Sequence, residues 1–68
     1  MIEVFKTNVK SRVHADKLVD RIHKEFVQYK ANFDLDDCDN ILRIEGKNIS
    51  IEGIIRELNL KKFECEPL

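Results

Sequence analysis

The chain opens with Ile2, Val4 and Phe5 set among polar residues, a cluster that predicts a strand within Met1 to Val9. Thr7-Asn8 and Ser11 lead into a long stretch of helical periodicity. At about 100° per residue, Leu18, Val19, Ile22, Phe26 and Tyr29 fall within about 60° of Ala15, while Asp16, Lys17, Asp20, Arg21 and Lys24 take other directions. An amphipathic helix from Ser11 to Tyr29 is expected, with Ser11 as its N-cap. From Ala31 to Asp36, Phe33 and Leu35 alternate with Asn32, Asp34 and Asp36, the period of a half-buried strand. Asp36 to Asn40 reads as a turn and Ile41 to Glu45 as a partner strand, with Leu42 and Ile44 on one face and Arg43 on the other. Gly46-Lys47-Asn48 is a second turn.

Ser50 can cap a short helix whose Ile51, Ile54, Ile55 and Leu58 form one stripe. Gly53 lies inside that helix at a cost of about 1 kcal/mol against Ala. Asn59 is placed to end it in a left-handed conformation, and Phe63 to Glu66 reads as a last strand closed by Pro67. The order strand, helix, strand, strand, helix, strand predicts an α+β, ferredoxin-like βαββαβ two-layer sandwich. Its antiparallel sheet would carry both helices on one face. That topology brings Asn8–His14, Asp36–Asn40 and Asn59–Lys62 to one end of the molecule.

Composition narrows the picture. Sixty-eight residues, 43% apolar and 37% charged, make one domain (residues 1–68) with a single core. Such a chain must put nearly every Ile, Leu, Val and Phe inside, which leaves little for an active site. Twelve basic against thirteen acidic residues give a net charge of −1, unlike the basic excess of a nucleic-acid module. No apolar run nears the roughly 20 residues of a bilayer span, so membrane insertion is not expected. No charged-then-apolar leader opens the sequence, and Cys38 and Cys65 are too few for a disulfide scaffold. The expectation is a reduced, cytoplasmic protein.

With these elements in place, the chain resembles, over nearly its whole length, the heavy-metal-associated domain of copper chaperones and metal-pumping ATPases. In that family the first strand ends in Gly-Met-x-Cys-x-x-Cys, whose thiolates hold a soft metal ion at the start of the first helix. The matching stretch is Asn8-Val9-Lys10-Ser11-Arg12-Val13-His14, with Val9 at the apolar Met position and Ala15 and Leu18 continuing the helix pattern. Leu35-Asp36 with Ile41–Gly46 is similar to the family hairpin, and Phe63-Glu64-Cys65 to its closing element. Phe5 to Val9 is similar to a bacterial subgroup of small stand-alone members. Ser11 and His14 occupy the two cysteine positions, so the resemblance implies the fold together with a degenerate metal site. A serine hydroxyl poorly replaces a thiolate for a soft ion.

Residual metal binding would centre on His14, with Cys38 or Cys65 as helper, and would suit Zn(II) or Cu(I). Against this, His14 also reads as a solvated residue of the first helical turn. Cys65 reads as a small apolar residue beside Phe63, and Cys38 as a thiol whose ionisation nearby aspartates disfavour. His23 points away from His14 and reads as half-exposed and without function. The run from Asp34 to Glu45 has calcium-loop spacing in part, but Asp39 stands where the turn needs Gly. Catalysis has little support. Ser11 and His14 lack an orienting carboxylate, no Gly-rich loop cradles phosphate, and Arg12 alone could serve an acyl-phosphate site.

Partner binding is the alternative to a metal role. Lys10, Arg12, Lys61 and Lys62 gather at the loop end, and the resemblance implies docking of such a basic end on an acidic partner such as a metal-transporter domain. The acidic tip from Asp36 to Asp39 lies at the same end, so the expected state is a monomer or weak dimer.

Overall fold

Strand β1 runs Ile2–Thr7, helix α1 Arg12–Glu25, β2 Lys30–Asp34, β3 Ile41–Glu45, helix α2 Ile51–Leu60 and β4 Cys65–Pro67 in a computed structural model that describes Met1–Leu68. The strands form one antiparallel sheet in the order β2-β3-β1-β4. The register pairs Phe5 with Leu42 and Phe33 with Leu42, which lines up apolar side chains across three strands. On that face Phe5, Ala31, Phe33, Leu42 and Ile44 meet Ala15, Leu18 and Ile22 of α1 and Ile54 and Leu58 of α2 in one core. Asn32, Arg43 and Lys6 are exposed on the other face. The architecture is α+β and compatible with a two-layer sandwich. Neither helix is long and apolar enough to cross a membrane.

Element ends differ from the sequence pattern for local reasons. Helix α1 stops at Glu25, because Phe26 leaves helical geometry (φ −131°, ψ 77°). Phe26 and Tyr29 still point where periodicity put them, since their rings stack at 4.9 Å and pack on the core. The Tyr29 hydroxyl then donates to Asn48 O and accepts from Ser50 N–H, which fixes the entry to α2. Ser11 stands at the N-cap of α1 in extended geometry, yet its side chain makes no capping bond. Ser50 does cap α2, accepting from Gly53 N–H at 3.0 Å.

Helix α2 outlasts Asn59. It closes in a Schellman turn with Lys62 left-handed (φ 68°), where Phe63 N–H donates to Leu58 O and Lys62 N–H to Asn59 O. Phe63 therefore belongs to this turn, and β4 begins at Cys65. β2 ends at Asp34, where Asp36 N–H turns back onto the Asp34 carboxylate at 3.2 Å. Not every large apolar residue is inside. Val13, 62% exposed, lies on the face of α1 turned away from the sheet, and Val27, 82% exposed, lies in the turn after that helix.

Candidate functional site

Three bends meet at one pole of the molecule through hydrogen bonds. Thr7 N–H donates to Asp39 O, and the Thr7 hydroxyl donates to Asn40 O at 2.6 Å while accepting Val9 N–H at 3.2 Å. Asn8 Oδ1 accepts from Glu64 N–H at 2.8 Å. The end of β1 is thus tied both to the β2–β3 turn and to the segment after α2.

The metal candidates sit around this pole but do not assemble into one ligand set. His14 is exposed on the first turn of α1, its ring 5.4 Å from that of Phe63 and tilted by 56°. The Schellman turn puts Phe63 there. Cys65 is half-buried on β4 opposite Thr7, and burial, with Glu66 adding, pushes its thiol up to about 12. It is therefore a protonated thiol at neutral pH. Cys38 is exposed, and its sulfur lies with the Asp37 and Asp39 carboxylates in a group of possible ligand atoms within 4.8 Å of one another. No such group of three includes His14 or Cys65. Asp37 also caps its own turn, accepting from Asp39 N–H at 2.9 Å. Ser11 and His14, at the start of α1, offer a hydroxyl and an imidazole and so supply no thiolate pair of the kind a soft ion needs.

The four basic candidates part company. Lys10 and Lys62 are exposed, and Lys62 is set by its left-handed backbone. Arg12 spans Asp16, at 3.8 Å, and the carbonyl of Phe33, at 3.5 Å. Lys61 alone faces a groove of about 550 Å³ along α1. Leu18 and Phe63 are its apolar residues, and His14, Lys17, Arg21 and Lys24 border it with Asp20 and Glu25. Arg21 is committed to Glu57 of α2 at 2.6 Å, whereas Lys17, Lys24 and Lys61 make no ion pair. Sequence reasoning overlooked Lys17, Arg21 and Lys24 as a surface. The signal was present: residues 14, 17, 21 and 24 follow the i, i+3, i+7, i+10 spacing of one helix face. What sequence could not supply was the neighbour, Lys61 with Phe63, on the far side. No family model, curated protein or solved structure matches the chain.

Proposed function

We propose that this chain is a cytoplasmic, non-enzymatic domain of heavy-metal-associated, ferredoxin-like type whose metal site has degenerated, and that it binds an acidic segment of a protein partner. What supports the reading most is the groove beside α1. Lys17, Lys24 and Lys61, none of them in an ion pair, outnumber Asp20 and Glu25 around a floor of Phe63 and the nearly buried Leu18, so the surface offers net positive charge beside an apolar seat. An acidic peptide with one apolar side chain fits that chemistry: its carboxylates would meet Lys17, Lys24 and Lys61 while the apolar group covers Phe63. Support for the kinship comes from the strand–helix order, from Val9 and the helix pattern after it, and from Ser11 and His14 at the cysteine positions. Lys10 and Lys62 would add long-range attraction at the same end.

The test is an NMR titration of the reduced protein with a Glu-rich peptide carrying a single Leu. Amide shifts should centre on Lys17, Lys24, Lys61 and Phe63, fade in high salt, and vanish in Lys17→Glu/Lys61→Glu. Shifts centred elsewhere, or unchanged by the charge reversal, sink the docking reading. A parallel titration with Zn(II) and Cu(I) follows the His14 ring. Tight, one-to-one metal binding abolished by His14→Ala would replace the degenerate site with a working one.

A further inference from the structure

His23 is not part of the groove. It faces the free edge of the sheet. Strand β2 forms one margin, with only β3 beside it. The opposite margin, β4, is three residues long and includes Pro67, which has no N–H to offer, so β2 is the better edge for adding a strand. In an antiparallel ladder, alternate residues turn their backbone groups away from the neighbour. On β2 these are Ala31 and Phe33, and side chains of α1 reach both. Ala31 N–H donates to His23 Nε2 at 3.1 Å, and the Phe33 carbonyl accepts from the Arg12 guanidinium at a longer 3.5 Å.

The strand is self-complementary. Laid antiparallel on β2 of a second copy, about a two-fold axis through Asn32, Ala31 falls opposite Phe33 and Lys30 falls opposite Asp34, each pairing occurring twice. The buried phase of one strand continues into the buried phase of the other, because Ala31 and Phe33 both face the core. Each Ala31–Phe33 pair would exchange two hydrogen bonds. One of them joins Ala31 N–H to the Phe33 carbonyl, the same donor and acceptor that His23 and Arg12 now occupy.

We propose that the outer edge of β2 is a pairing surface for a second copy of this chain, held shut by His23 and Arg12 of α1. His23 is the closer of the two latches. Its Nε2 must keep a lone pair to accept from Ala31, which puts the ring proton on Nδ1. Lys30 and Asp34 set the register and the antiparallel sense, since a parallel arrangement would oppose like charges.

Sedimentation velocity from micromolar to millimolar protein tests this on the wild type, His23→Ala, Arg12→Ala and the double variant. Freeing one donor on each of two copies should tighten dimerisation of His23→Ala by about tenfold, and the double variant should dimerise more tightly still. Adding Lys30→Asp to the double variant should return it to monomer by opposing Asp to Asp. Adding Asp34→Lys as well should restore the dimer, a rescue that unspecific stickiness does not give. A double variant with native circular dichroism that stays monomeric at millimolar concentration overturns the proposal, as does a dimer indifferent to the charge swap. If His23→Ala does not fold, Arg12→Ala, at an exposed side chain, carries the test. Its sedimentation unchanged at millimolar concentration then overturns the proposal.

Discussion

Thr7, almost fully buried, holds its hydroxyl between two backbone groups, donating to Asn40 O and accepting from Val9 N–H. A β-branched residue suits a strand, but only one with a hydroxyl satisfies both partners at the point where β1 breaks off. Cys65, its neighbour in register, is the opposite case, a polar atom with its charged form suppressed. Its thiol is raised from 9.0 to about 12, first by burial and then by Glu66. In the unfolded chain the thiol ionises near its ordinary value, whereas the folded state keeps it protonated. The stabilising contribution is therefore intact below pH 9 and is lost as pH rises through about 12. Iodoacetamide at mildly alkaline pH should modify exposed Cys38 promptly and Cys65 only as the fold opens. Equal rates by mass spectrometry would show that burial does not protect Cys65.

At the scale of elements, helix ends decide where chemistry-bearing residues fall. The Schellman turn after α2 carries Phe63 under His14, and it does so with Lys62 in a conformation that lysine adopts at some cost. The glycine of α2 has a packing reason. A Cβ at Gly53 would sit 2.8 Å from both Phe26 Cζ and the capping Ser50 Oγ. Gly53→Ala gains about 1 kcal/mol of helix propensity but overpacks at a cost of about 1–3 kcal/mol. The expected result is a net loss of about 1 kcal/mol in urea unfolding. Shortening one obstacle with Phe26→Leu should lessen the loss from the same glycine substitution, the Ser50 contact remaining. A stabilised single variant would mean that both the Phe26 ring, despite its stacking on Tyr29, and the Ser50 hydroxyl yield freely.

Across the whole molecule, the sheet and helices share one core, but the two helices are also joined at the surface. Arg21 of α1 donates to Glu57 of α2 at 2.6 Å, and Glu57 is only 7% exposed. Removing the arginine leaves a carboxylate that is mostly out of water. Full burial would make that loss about 3–5 kcal/mol, but the Arg21 side chain is 36% exposed, so Arg21→Ala should cost about 1–2 kcal/mol. Thermal unfolding at low and high salt measures it. A cost under a few tenths of a kilocalorie would class the pair with ordinary surface bridges. The pair also holds Arg21 away from any ligand and leaves the groove's free positive charge to the three lysines.

The amino-acid sequence alone determined the number, type and order of the elements and most of the core. Apolar spacing follows directly from whether a segment winds at 3.6 residues per turn or alternates across a sheet. It also determined that the start of α1 carries Ser11 and His14, a hydroxyl and an imidazole rather than thiols. The tertiary structure decided what each candidate touches. His14 meets Phe63, Arg12 leaves the basic end for the β2 edge, Lys61 joins Lys17 and Lys24 across a groove, and His23 accepts the Ala31 amide. These contacts join residues on different elements. Their partners are set by how helices and strands pack, and no periodicity within a single segment encodes that.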